Sequence, residues 1–192
     1  MSALSAIIPP AFQVSQEQFE KLAIANRDLR LERTATGELI IMPPTGGNTG
    51  KRNIAISALL WLWNQQTGLG VTFDSSTAFI LPNGATRSPD AAWVRLERWD
   101  LLTPEEQETF PPLCPDFAIE LRSKTDTMRS LRAKMQEYLD NGLLLGWLLD
   151  PQSHTVEIYR RDRPVEICQD CDRLSGEEIL PDFVVNLNNI WG

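Results

Sequence analysis

One histidine in 192 residues removes most chemistry that runs through an imidazole, because a catalytic His needs a nucleophile or a second base arranged around it and nothing beside His154 supplies one. His154 reads as a turn residue. Cysteine is almost as scarce: three thiols cannot all pair within the chain, and an odd thiol suits a reducing compartment better than a disulfide framework. Cys168 and Cys171 form a single C-x-x-C, but a structural zinc needs two more ligands, and only Cys114 and His154 remain, at scattered positions. Positive charge is also short. With 18 Lys and Arg against 26 Asp and Glu, the net charge of −8 argues against a protein that coats nucleic acid non-specifically. No apolar run is long enough to span a bilayer, the longest being Leu143 to Leu149 with Gly146 inside it. Met1 to Pro10 lacks a basic segment ahead of its few apolar residues, so no signal peptide and a cytoplasmic location are expected. No repeat or low-complexity segment is present.

What is present suits one globular domain, the expected organisation of residues 1–192. The hydrophobic content of 42% includes six Trp and seven Phe, enough apolar surface for a sizeable core. Ser15 with Gln18 three residues on is a capping box for a first helix to about Asn26. Strands Leu29 to Arg33 and Glu38 to Met42 flank Thr36-Gly37 as a hairpin. A long helix is expected from about Thr49 to Gln66, its apolar stripe formed by Ile54, Ala55, Ala58, Leu59, Leu62 and Trp63. Val71 to Asp74, Ala78 to Leu81 and Ser88 to Arg95 read as a strand meander, followed by a connection with a short capped helix at Thr103-Pro104. Strand Phe117 to Arg122, helix Thr127 to Asp140 and strand Leu145 to Leu149 make a βαβ unit with a central parallel strand. Val156 to Tyr159, Val165 to Cys168 and Phe183 to Leu187 read as edge strands. The class is α/β.

The chemistry gathers on two acidic strands. Alternation puts Phe117, Ile119 and Leu121 on one face and Asp116, Ala118, Glu120 and Arg122 on the other, with Glu120 expected away from the core. Asp90 shares a face with Ser88, Ala92 and Val94. If the strands are neighbours, Asp90 and Glu120 converge, and two close carboxylates are stable together when a divalent cation neutralises them. The plainer reading is a pair of salt-bridged carboxylates, with Arg87 and Arg122 as partners. Just after Glu120, Lys124, Arg129, Arg132 and Lys134 form a local positive patch that either borders the acidic site or is a solvated helix face. The run Pro44 to Arg52 is not a phosphate loop: Gly46 and Gly50 enclose three residues, not four, and Arg52 follows Lys51 where Ser or Thr is needed. It reads as a glycine-rich turn into a helix N-terminus.

Taken in order, Glu38 through Pro44, Ser88-Pro89-Asp90, Pro115-Asp116-Phe117-Ala118-Ile119-Glu120-Leu121, Lys134 and Tyr138 ahead of Gly142, and Trp147 through Pro151 resemble the Uma2 family, also called DUF820, common in cyanobacteria. That family belongs to the PD-(D/E)xK restriction-endonuclease-like superfamily. The resemblance covers nearly the whole chain and implies a restriction-endonuclease-like core, with a mixed β-sheet flanked by helices, and a metal-dependent nuclease site. By matching position, Asp90 and Glu120 become ligands of Mg²⁺ or Mn²⁺, with the backbone carbonyl of Leu121 as a further ligand and Glu38 as an outer contact. The superfamily's usual lysine position, two after the glutamate, holds Arg122, which is a poor general base. In the Uma2 pattern the lysine lies on the following helix, where Lys134 stands, with Tyr138 one turn further on the same face. Asn48 stands where many relatives have histidine.

On this reading Lys134 stays charged and orients water, while Lys124, Arg129 and Arg132 contact backbone phosphates of a nucleic acid, expected to be DNA. A homodimer is expected from the resemblance, with Trp93, Trp99 and Trp191 leaving apolar surface for a second copy. Two other readings stay open. One is a nuclease fold without chemistry that serves as a binding or regulatory module; the other is a metal hydrolase acting on a sugar or nucleotide.

Overall fold

The computed structural model describes residues 12–191. In chain order its elements are α1 (Gln16–Ala25), β1 (Arg30–Arg33), β2 (Leu39–Met42), α2 (Gly47–Thr67), β3 (Gly70–Asp74), β4 (Phe79–Ile80), β5 (Thr86–Arg87), β6 (Ala91–Arg95), α3 (Leu96–Trp99), α4 (Pro104–Glu108), β7 (Phe117–Leu121), α5 (Met128–Asp140), β8 (Leu145–Asp150), β9 (Thr155–Arg160), β10 (Glu166–Gln169), β11 (Arg173–Ser175), β12 (Val184–Asn186) and α6 (Asn188–Trp191). The main sheet runs β10-β9-β8-β7-β6-β3, with β7 and β8 parallel and the other neighbours antiparallel. A smaller sheet, β2-β1-β5-β4, and a ribbon of β11 and β12 complete the strands. No helix among the described residues is long and apolar enough to cross a membrane.

Strand alternation sorts side chains into two cores, one on each face of the main sheet. Ala91, Trp93, Phe117, Ile119 and Leu121 pack with α2 and α6, whereas Ala92, Val94 and Ala118 pack with α5 through Leu131, Met135 and Tyr138. Glu120 therefore does not point away from a core. It lies on the α5 side and is 3% exposed. At Gly146 on β8, a Cβ would collide with the ends of Met135 and Leu143, so glycine is what lets α5 come down onto the sheet. Thr127 caps α5, its hydroxyl accepting the Ser130 N–H.

The long helix presents a different face from the expected one. Ile56, Leu60 and Trp63 are buried, while Ile54 and Leu62 are 68% and 50% exposed. A polar clamp explains the rotation: Asn64 Oδ1 accepts the Trp93 indole N–H at 2.9 Å and its amide donates to the Gly70 carbonyl at 2.8 Å. The indole is buried and the Gly70 carbonyl partly so, and both would lose this partner if the helix turned further.

The expected meander is interrupted. β3 pairs directly with β6, and the chain between them leaves to form β4 and β5 in the smaller sheet, where Phe79, Leu81 and Ala85 join the α5-side core. β6 begins only after Pro89, which has no N–H to give to a ladder. β9 is not an edge strand. It lies between β8 and β10 with Val156 and Tyr159 buried. Nor do the three tryptophans lie open: Trp93 and Trp191 are 2% and 9% exposed, and Trp99 packs on the α5-side core. The Cys168 and Cys171 sulfurs lie against each other, and Cys114 is buried and free. His154 occupies the turn between β8 and β9 with φ +50°, stacked on Trp191.

Candidate active site

β6 and β7 pair antiparallel with Ala91 opposite Ile119, so the same register sets Asp90 opposite Glu120. The Asp90 N–H donates to the Ile119 carbonyl at 3.0 Å, and Asp90 Oδ2 accepts the Leu121 N–H at 2.8 Å. Asn53 of α2 donates to Asp90 Oδ1 at 3.0 Å, and its own Oδ1 is buried with no partner. The two acidic strands are thus neighbours, and their carboxylates border one cleft of about 900 Å³.

Lys134 reaches this point from α5. Its ammonium lies 2.8 Å from Glu120 Oε1, 2.7 Å from Glu32 Oε1 and 3.2 Å from the Ser88 carbonyl. Tyr138, one turn on, donates its hydroxyl to Glu120 Oε1 at 2.9 Å. Arg87 links Glu32 at 3.1 Å to Glu137 at 2.5 Å, and the Ser88 N–H donates to Glu32 at 2.9 Å. Burial pushes the Glu120 carboxyl up to about 7; Lys134 pulls it down, but the repulsion of Asp90 and Glu32 acts with burial. Burial likewise raises Asp90 against the pull of the Leu121 amide and Lys134. For Glu32 burial is outweighed by Lys134 and Arg87, and its carboxyl stays below the usual range. The Lys134 ammonium is held well above its ordinary value, because Glu120 and Glu32 more than offset its desolvation.

Other expected residues are placed differently. Glu38 is exposed at the hairpin end, bridged to Gln13, and does not reach the cleft. Glu32, on the other strand of that hairpin, takes the place beside Lys134. No spacing signal separated the two, since what buries Glu32 is the pairing of β1 with β5, which brings Ser88 and Arg87 alongside. Arg122 turns to Asp150 at 2.8 Å and leaves the cleft. Arg132 is bound to Glu157 at 2.6 Å, so its charge is already neutralised. Lys124 lines the cleft from the exit of β7, whereas Arg129 is exposed outside it. Asn48 lines the cleft in the first turn of α2.

The donor set at Asp90 and Glu120 is all oxygen, the chemistry of Mg²⁺ and Mn²⁺ sites. Among the described residues no three His, Cys, Asp or Glu side chains gather as a metal group. Mg²⁺ is commonly held by one or two carboxylates with water filling the rest, and the orphaned Asn53 Oδ1 beside Asp90 suits a donor such as an ordered water. The residues present fit such an ion.

A mixed sheet flanked by helices, with paired carboxylates on its central strands and a lysine delivered from the next helix, defines a restriction-endonuclease-like fold. A solved structure, described as a "putative nuclease belonging to DUF820" from Anabaena variabilis ATCC 29413, superposes with a TM-score of 0.78 over 93% of this chain and 97% of that one, at 17% identity. The Uma2 family model, described as "Putative restriction endonuclease", matches residues 16–188, and the chain belongs to the Uma2 family. No curated protein matches it.

Proposed function

We propose that this chain is a divalent-metal-dependent endonuclease that hydrolyses phosphodiester bonds of nucleic acid, with DNA as the substrate. The observation that carries the reading is the convergence of Asp90, Glu120 and Lys134 on one open cleft. Asp90, Glu120 and the Leu121 carbonyl would hold Mg²⁺ or Mn²⁺, which supplies charge neutralisation at a phosphate and lowers the pKa of water. Lys134, fixed by Glu120 and Glu32, offers a permanent positive charge to the oxygens of the phosphoryl group as negative charge builds there. Tyr138 holds Glu120 from the buried side and limits its rotamers. Cleavage of plasmid and linear DNA in Mg²⁺ or Mn²⁺, lost in Asp90→Asn, is the expected result. DNA left intact by the wild-type chain in both ions refutes the activity.

A second reading, a binding or regulatory module on the same fold, is favoured by the ion pairs that already engage Lys134 and by the net charge of −8. Nucleic-acid binding without cleavage is its signature. We further propose that a second copy packs on the exposed apolar face of α2, where Ile54, Trp61 and Leu62 are 68%, 50% and 50% exposed. Light scattering that finds dimer in the wild type and monomer in Trp61→Glu supports it; monomer in both refutes it.

A further inference from the structure

The cleft carries more positive charge than its metal-site residues use. Four cations line it, namely Arg30, Arg87, Lys124 and Lys134. Arg87 and Lys134 are locked into carboxylates, and Lys124 stands exposed on a loop. Arg30 is different. It is half-buried at the start of β1, its Nε is buried with no partner, and it forms no ion pair with any described residue. A buried donor left without an acceptor costs about 1–3 kcal/mol, and more when charged. A guanidinium kept in that condition beside an acidic cluster is primed for an anion delivered from outside, and its planar fork matches phosphate oxygens.

A second feature adjoins it. Arg30 pairs with Met42, and the chain runs from Met42 through Pro43 and Pro44 into the first turn of α2, all along the same cleft. Gly46 caps that 21-residue helix without a side-chain hydrogen bond, and the first intrahelical bond is the Gly50 N–H to the Gly46 carbonyl. The amides of Gly47, Asn48 and Thr49 therefore have no helical partner. A Cβ at Gly46 or Gly47 would meet nothing within 4 Å, so packing inside the chain does not call for glycine at either position. Open space over free amides at a helix N-terminus suits a phosphate.

We infer that Arg30, with the first turn of α2, is the phosphate-binding wall of the cleft and holds a backbone phosphate of the nucleic acid while the Asp90–Glu120 side faces the bond to be cut. The inference rests on the reading that the cleft takes phosphodiesters, though not on cleavage. It assigns substrate binding to a residue that touches neither carboxylate of the metal pair through a hydrogen bond. Charge contacts to phosphate act without regard to sequence, so Arg30 contributes affinity and position and reads no bases.

The test is binding of a fluorescently labelled DNA duplex to the full chain, read by anisotropy across a salt series, in chelator and again with Ca²⁺. Arg30→Met is expected to weaken binding about tenfold and to reduce the slope of log affinity against log salt by about one, the signature of one lost phosphate contact. Arg30→Lys is expected to restore the slope and part of the affinity, since charge returns without the fork. Unchanged affinity in Arg30→Met overturns the inference. So does weaker binding with an unchanged slope, which marks a loss of shape, and so does a wild-type chain that binds no duplex in either condition. If the wild-type chain binds duplex with the expected Arg30 dependence yet never cuts it in Mg²⁺ or Mn²⁺, the inference stands and the nuclease reading fails.

Discussion

Glu120 is the most informative residue to perturb, because its carboxyl is buried among like charges and pushed up to about 7. Its folded carboxyl holds a proton more tightly than the unfolded one, whose ordinary value is 4.5. The stability that this proton lends is complete below the unfolded value and is lost as pH rises through the folded one. With the folded carboxyl at about 7 against 4.5 unfolded, the loss between pH 5 and pH 8 is about 2.5 kcal/mol. Glu120→Gln keeps an acceptor for Tyr138 and Lys134 but has no proton to lose. Urea unfolding in chelator at pH 5, 6.5 and 8 should show falling stability in the wild type and a nearly flat profile in the variant, so that the variant is the more stable protein at pH 8. A wild-type profile that is flat over this range, or a variant weaker than wild type at pH 8, refutes the burial argument.

Lys134→Ala should lower turnover about a hundredfold, the scale of losing one electrostatic stabiliser, and should cost about 3 kcal/mol of stability by stranding Glu32 and Glu120. Full activity in that variant removes Lys134 from the chemistry. Asp90→Ala and Glu120→Ala should each abolish Mn²⁺ binding in calorimetry with the circular dichroism spectrum retained; wild-type affinity in both sinks the metal site. Asn64→Leu strands the Trp93 indole and the Gly70 carbonyl and should cost about 2–4 kcal/mol in chemical denaturation, whereas a change under about 1 kcal/mol would mean that the clamp does not set the helix face. Burial pushes the Cys114 thiol up to about 12, so thiol titration at pH 8 should find it inert in the native chain and reactive in urea.

The meeting of Asp90 with Glu120 was legible because both lie at fixed steps in strands whose alternation is plain, and the inward edge of α5, Leu131, Met135 and Tyr138, follows from helical spacing. What escaped depends on contacts far apart in sequence. Glu32 enters the site because β1 pairs with β5, a relation with no local signature. The face of α2 is chosen by Asn64 reaching Trp93 and Gly70, and apolar counting weighted Ile54 and Leu62 instead. Arg132 looked like a phosphate ligand in the sequence, since nothing there shows that Glu157 on β9 faces it. Arg30 drew no notice for a related reason: an arginine at a strand start is ordinary until its neighbours prove to be occupied elsewhere.

Lys134 draws Glu32 of the smaller sheet and Glu120 of the main sheet to one ammonium, so the proposed reactive centre is also the seam between the two sheets. A scaffold built this way has no silent way to be cut back at its middle, since truncating Glu32, Glu120 or Lys134 loosens the joint along with the chemistry. An inert form of the protein for capturing nucleic acid would best be made at Asp90, whose partners are Asn53 and the Leu121 amide and which stands outside that rivet.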